Sequence, residues 1–150
     1  MHKDVVSDSN AILLRGASLW LIAALILAWC MVGLAYHVPL LGQVFPGKFH
    51  RVLQAHIDLL LMSALILGFY ATRVRFSRSV RWAMVVGALT NSSLFFLMAI
   101  FPALDPANGA PPPGLPLKVF LVYQFASLLT TSYGFGRGAM TVLRSTQIGN

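Results

Sequence analysis

The most informative stretch of this chain, residues 53–71, reads LQAHIDLLLMSALILGFYA. A helix needs about 20 consecutive apolar residues to cross the hydrocarbon core of a bilayer, and this run is long enough. It nevertheless contains His56 and Asp58, although an ionisable side chain costs up to about 3 kcal/mol at the centre of such a helix. The run therefore predicts a transmembrane helix that carries a functional site.

Three other windows, residues 16–37, 82–104 and 117–136, are apolar over similar lengths. Together with the first run they predict an all-α fold, an integral membrane four-helix bundle that forms a single transmembrane domain over residues 1–150. The composition agrees, because 57% of the residues are hydrophobic and only 10% are charged, against roughly a quarter in soluble domains. We therefore expect the lipid bilayer to surround the chain.

The segments outside these windows differ in character. Residues 1–15 are polar, and we expect a tail that is partly disordered or lies on the membrane surface. Residues 36–48 contain enough Pro and Gly to stop a helix but stay apolar, which predicts that they fold back onto the bundle. Residues 105–116 form a Pro-rich outer link, and its stiff run APPPG at 110–114 is interpreted as a lid, a strap or a tether.

The chain has 11 Lys and Arg residues against four acidic residues, giving a net charge of +7. In a soluble protein this excess would indicate nucleic acid, but here the cations lie in the gaps between apolar runs, so we expect no nucleic-acid partner. Most of them lie in the tail, in the link between the second and third windows, or after the fourth window. The positive-inside rule then places both termini in the cytoplasm, as in a multi-pass protein of a bacterial inner membrane. These cations are Lys3, Arg15, Arg73, Arg75, Arg78, Arg81, Arg137 and Arg144.

His56 and Asp58 point about 200° apart on a helix, so they must serve different partners. His56 has three interpretations: a neutral, hydrogen-bonded interior histidine, a proton relay with Asp58 or a neighbouring helix, or an axial ligand of haem iron. One histidine does not make a closed zinc site, whereas five-coordinate haem needs only one. Asp58 is interpreted as a neutral carboxyl, or as a partner of Arg51 or of a residue on another helix.

The third and fourth windows add polar groups at membrane depth. Asn91 lies midway along the third, and its amide needs several partners when it is buried. Tyr123 is expected near the depth of His56, either as a hydrogen-bond donor to a bound ligand or as an interfacial anchor. Gly134 and Gly138 have the GxxxG spacing, which predicts close helix packing or an oligomer contact.

The pair Ala55-His56 opens the second helix after an outer link, and Asn91 is followed by Phe95-Phe96. With four short spans and an outer link rich in Pro, Asn and Gly, this pattern resembles the small bacterial membrane isomerases, namely styrene oxide isomerase and the hydroxylaminobenzene mutases. The resemblance covers roughly residues 16–140. It implies a homotrimer with haem b at each subunit interface, bound through the second-helix histidine, which is His56 here.

The resemblance also implies a reaction. Ferric haem acts in styrene oxide isomerase as a Lewis acid on the oxygen of a small apolar epoxide, and the mutases rearrange arylhydroxylamines, both without net redox change. Two open alternatives are a non-catalytic b-type cytochrome or haem-binding subunit and a cofactor-free scaffold, in which His56, Asp58 and Asn91 simply bond across helices.

The chain departs from this family at three positions. Six residues after the histidine both families have Asn, whereas this chain has Met62, which we place with His56 among the cofactor-binding positions. Gly87 and Phe95 stand where styrene oxide isomerase has an acidic residue and a tyrosine. Asn91 matches the Asn of the third helix in that family. The predicted catalytic residues are Asp58, Asn91 and Tyr123, with Asp58 and Tyr123 as replacement polar groups.

Overall fold

A computed structural model describes residues 2–109 and 114–147 of the chain, with side chains from residue 10 onward. The described part is helical and contains no β-strand. Its elements are α1 (His2–Ala35), α2 (Pro39–Val44), α3 (Phe49–Ala71), α4 (Arg78–Ile100), two 3₁₀ turns (Pro102–Leu104 and Pro106–Asn108) and α5 (Leu115–Gln147).

Three helices are long and apolar enough to cross a membrane, namely Asn10–Ala35, Phe49–Ala71 and Arg78–Ile100. They contain or overlap the first three predicted windows, so the prediction of an all-α fold with several helices able to span a membrane is confirmed for the described residues. The fourth window, residues 117–136, is helical as predicted and lies within α5. It carries more polar residues and is not among the three.

Helix α1 begins at His2 rather than near residue 16, so residues 2–15, which were predicted to form a polar tail, are helical. Tertiary contacts explain the extension. Asn10 is only 1% exposed and its amide donates to the carbonyl oxygen of Val74 at 2.8 Å, while Leu13 is fully buried. The other end of the helix lies near the predicted one, since His37 adopts a φ of +56° that helical residues do not take.

The bounds of α4 and α5 also differ from the predicted windows. Helix α4 begins at Arg78, because the side chain of Ser77 caps it by accepting from the backbone N–H of Val80. It ends at Ile100 rather than at residue 104, two residues before Pro102. Helix α5 continues to Gln147, well past the predicted end at residue 136.

Helices α1, α3 and α4 pack against one another as a three-helix bundle, and α5 packs along α4. The predicted four-helix bundle therefore takes the form of three mutually packed helices and one that depends mainly on α4. A small apolar cluster around Phe120 lies between α4 and α5, and two larger clusters fill the bundle. One contains Phe76 and Met84, at what we call the Phe76 end, and the other contains Phe45 and Ala99, at the Asp105 end.

The link after α1 folds back onto the bundle, as predicted. It contains the short helix α2, and the ring of Phe45 behind it is buried, edge-on to Phe96 with 5.6 Å between centroids. The backbone N–H of Gly47 donates to the carbonyl oxygen of Ala99 at 2.9 Å. A Cβ at Gly47 would lie 2.6 Å from that same oxygen, so this approach requires glycine. The proline run at residues 110–113 lies outside the described part of the chain.

Candidate functional site

His56 lies at the interface of α3 with α1, where its Nδ1 is 2.8 Å from the carbonyl oxygen of Ala24. A carbonyl oxygen only accepts, so Nδ1 carries the hydrogen in this bond. In the neutral imidazole Nε2 then has a free lone pair. Metal-bound histidines commonly donate their second ring N–H to a backbone carbonyl in this way, and the geometry of His56 therefore fits a metal-ligating imidazole.

Asp58 lies on the other side of α3 and faces α4. Its Oδ2 accepts from the amide Nδ2 of Asn91 at 2.9 Å and from the hydroxyl of Ser92 at 2.7 Å. The prediction that His56 and Asp58 serve different partners is confirmed, because His56 bonds to α1 and Asp58 to α4. The structure also brings together two of the predicted catalytic residues, Asp58 and Asn91, at mid-helix.

Arg51 does not pair with Asp58, so that interpretation of Asp58 is wrong. Its guanidinium instead forms two hydrogen bonds with the carboxylate of Asp105, one of them Nε to Oδ2 at 2.9 Å, and a third bond to Gln54. Arg51 lies in the first turn of α3, and the link after α4 carries Asp105 back over the start of that helix. The side chain of Asp105 is fully buried and that of Arg51 is 12% exposed.

The hydrogen bonds from Arg51 lower the pKa of Asp105 to about 2. Burial acts in the opposite direction, and the backbone N–H of Ala107 adds to the lowering. The ammonium group of Lys48 donates to the carbonyl oxygen of Ala107 at 2.8 Å. The link that contains the two 3₁₀ turns is thus fastened over the start of α3 by two cations.

Tyr123 bonds to α4, with its hydroxyl oxygen 2.6 Å from the hydroxyl oxygen of Ser93. Ser93 lies 2.8 Å from the carbonyl oxygen of Thr90, which only accepts. Ser93 therefore donates to Thr90, and Tyr123 donates to Ser93. The hydroxyl hydrogen of Tyr123 is engaged within the protein, and its role as a donor to a bound ligand stays a prediction.

Met62 is separated from His56 in the packing. Its side chain is half-buried against the apolar cluster at the Phe76 end, whereas Ala55, beside His56, belongs to the cluster at the Asp105 end. The structure therefore does not bring Met62 and His56 into one group. The role of Met62 as a cofactor-binding position stays a prediction.

The two other departures from the family have a structural explanation. A Cβ on Gly87 would lie 2.8 Å from the Cα of Thr131, so α5 leaves no room for an acidic side chain there. Phe95 packs among apolar residues between α4 and its neighbours. The glycine at position 87 thus serves the close approach of α4 and α5.

Sequence reasoning missed two partners in this site. Ser92 was not among the predicted site residues, although its hydroxyl, next to Asn91 on α4, donates to the same carboxyl group as the amide of Asn91. Asp105 was assigned to a surface link. Asp105 lies between Pro102 and Pro106, and the link that contains it stays close to the bundle. This position indicates a fixed rather than a mobile carboxylate.

Among the side chains of residues 10–109 and 114–147, no three His, Cys or acidic groups come together as metal ligands. No protein-family model, curated protein or solved structure matches the chain. The functional interpretation accordingly depends on the geometry of the site.

Proposed function

We propose that this chain is a four-span membrane protein that binds haem b through Nε2 of His56 and isomerises a small apolar epoxide or arylhydroxylamine without net redox change. The observation that carries the proposal is the 2.8 Å hydrogen bond from Nδ1 of His56 to the carbonyl oxygen of Ala24. This bond selects the tautomer whose Nε2 is free to act as a ligand.

The residues around His56 would have two tasks. Ala24 holds the imidazole ring in one orientation through its carbonyl oxygen, so the ligand nitrogen has a fixed direction. The apolar side chains of α1 and α3 around it provide surroundings that exclude water. Bound haem would supply a Lewis acid that polarises a substrate oxygen.

Asp58, Asn91 and Tyr123 are the residues that we assign to the substrate. The carboxylate of Asp58 takes one amide hydrogen of Asn91 and so fixes the plane of that amide. The second amide hydrogen and the Oδ1 atom of Asn91 are then oriented groups for a polar atom of a substrate. Tyr123 would contribute only if its hydroxyl exchanged Ser93 for the substrate.

The topology that we propose has α5 as the fourth span and both termini in the cytoplasm of a bacterial inner-membrane protein. The distribution of the cations supports it, because the Phe76 end carries Arg73, Arg75 and Arg78, all of them exposed. At the other end Arg51 and Lys48 are committed to the link after α4. The resemblance to styrene oxide isomerase supports a homotrimer.

An absorption spectrum of the protein purified from a membrane tests the proposal. We expect a Soret band of high-spin, five-coordinate haem. His56→Ala should lose haem, whereas His50→Ala, an exposed histidine of the same helix, should retain it. Normal haem binding by His56→Ala would contradict the ligand assignment, and turnover of an epoxide and arylhydroxylamine panel would separate an isomerase from a b-type cytochrome.

A cofactor-free scaffold is the second candidate, and a specific observation favours it. Each predicted site residue that bonds across helices has a partner within the protein: His56 has Ala24, Asp58 has Asn91, and Tyr123 has Ser93. Such bonds stabilise membrane helices by about 0.6 kcal/mol each on average. A colourless preparation with full thermal stability would support this candidate instead of the haem protein.

A further inference from the structure

A cavity of about 250 Å³ lies between α1, α3 and α4, beside the polar groups described above. Its walls are almost entirely hydrocarbon. Neither His56 nor Asp58 lines it, although two neighbours of these residues on α3 do. Its apolar wall residues include Ala23 and Ile26 of α1, Ala55 and Leu59 of α3, and Leu89 and Phe96 of α4.

Two serines of α4, Ser92 and Ser93, are the polar side chains of the wall, and both direct their hydroxyl hydrogens elsewhere. Ser92 donates to Asp58 at 2.7 Å, and Ser93 donates to the carbonyl oxygen of Thr90 at 2.8 Å. A molecule in the cavity therefore finds no uncommitted hydroxyl hydrogen. Because an unpaired polar group is costly in such a place, the cavity selects an uncharged apolar occupant.

The volume sets the size of that occupant. An apolar protein cavity of about 150 Å³ stays dry and binds benzene, so about 250 Å³ accommodates a ring with a few additional carbon atoms. The opening lies on the outside of the bundle, because two wall residues are also exposed there, Ile26 by 59% and Leu89 by 38%. Both belong to helices that are apolar enough to cross a membrane, so the opening faces lipid.

We propose that the cavity between α1, α3 and α4 is a binding site for an uncharged hydrocarbon the size of ethylbenzene, which enters sideways from the bilayer. The site lies within one copy of the chain and needs no metal. It is therefore independent of haem binding at His56.

Thermal unfolding of the full chain in nanodiscs tests this site, with benzene, ethylbenzene and pyrene added at equal concentrations in the lipid. We expect a saturable rise in Tm of about 5 °C with ethylbenzene. Benzene should give a smaller rise because it fills less of the cavity, and pyrene should give none because it is too large. No saturable rise with ethylbenzene, or an equal rise with pyrene, would overturn the proposal.

Substitutions separate the site from general effects of hydrocarbon on the bilayer. Ala55→Leu fills the cavity from α3 and should abolish the rise in Tm. Ala23→Leu fills it from α1 and serves the same purpose if the first variant does not fold. Ala64→Leu, on the exposed side of α3, should respond like the unmodified chain. An undiminished response in the filled variants would also overturn the proposal, whereas a colourless protein with the expected response would contradict only the haem assignment.

Discussion

Helix α4 packs against its two main partners, α3 and α5, through different kinds of contact. It is joined to α3 through two carboxylates: Asp58 of α3 accepts from Asn91 of α4, and Asp105, just after α4, binds Arg51 of α3. It is joined to α5 through glycines, since a Cβ on Gly134 would lie 2.6 Å from the backbone nitrogen of Met84. One interface depends on charge and the other on the absence of side-chain volume.

This difference predicts which changes should destabilise each interface. The buried guanidinium of Arg51 is stable only while its counter-ion Asp105 is present, so the α3 interface should be sensitive to the loss of either group and to protonation of Asp105. The α5 interface contains hydroxyl-to-carbonyl bonds such as Thr131 to Gly87 at 3.0 Å, which do not titrate. It should be sensitive to added volume and indifferent to pH.

The largest loss of stability is expected for Asp105→Asn. The substitution leaves the buried guanidinium of Arg51 without its counter-ion, and breaking such a pair should lower the free energy of unfolding by about 3 kcal/mol. Unfolding in a detergent series measures it. The double variant Arg51→Gln, Asp105→Asn should lie closer to the unmodified chain, because it leaves no unpaired charge. A stable single variant would contradict the role of this pair.

The same pair gives the α3 interface a defined pH dependence. The pKa of Asp105 is about 2 in the folded protein, below the value of about 3.9 in an unfolded chain. Its stabilising contribution is therefore complete above about pH 4 and is lost as the pH falls through about 2. Acid unfolding curves should show this loss, and Asp105→Asn should remove it.

The second-largest loss of stability is expected for Gly134→Ala, which tests the interface between α4 and α5. The added methyl group meets backbone atoms of Met84 and Ala83, so the helices must separate, at a cost of about 2 kcal/mol. Gly136→Ala is the matched control, because no atom lies within 4 Å of a Cβ there, and alanine favours a helix. Equal stability of the two variants would indicate that α5 does not need the close approach.

The smallest loss of stability is expected for Thr131→Val, which removes the hydrogen bond to the carbonyl oxygen of Gly87 but keeps the shape of the side chain. The loss should be about 0.6 kcal/mol, the average for such bonds between membrane helices. Thr130→Val is the control, since the hydroxyl of Thr130 bonds within α5 to the carbonyl of Ala126. A loss as large as that for Gly134→Ala would mean that polar bonds, rather than close packing, hold α5.

The sequence predicted much of this architecture because apolar run length is a local property. The windows at residues 16–37, 53–71 and 82–104 correspond to the three helices that are long and apolar enough to cross a membrane. The spacing of His56 and Asp58 also predicted correctly that they face different helices, because two helical residues two positions apart cannot share a face.

The bounds of α1 and α5 were not predictable in the same way. The first helix was predicted to begin near residue 16, yet Asn10 is buried through its bond to Val74, which lies 64 positions away in the chain. Polarity and glycine content suggested an end for α5 near residue 136, but burial of Gly134 and Gly138 against α4 supports a longer helix. Long-range packing decided both ends.

The sequence by itself determined that this chain has long apolar helices and that α3 carries an imidazole and a carboxylate on opposite sides. The tertiary structure alone decided that His56 binds Ala24, that Asp58 binds Asn91 rather than Arg51, and that Asp105 is buried. The physical reason is that helix formation and membrane insertion depend on neighbouring residues. Hydrogen bonds and ion pairs depend on which helices come together.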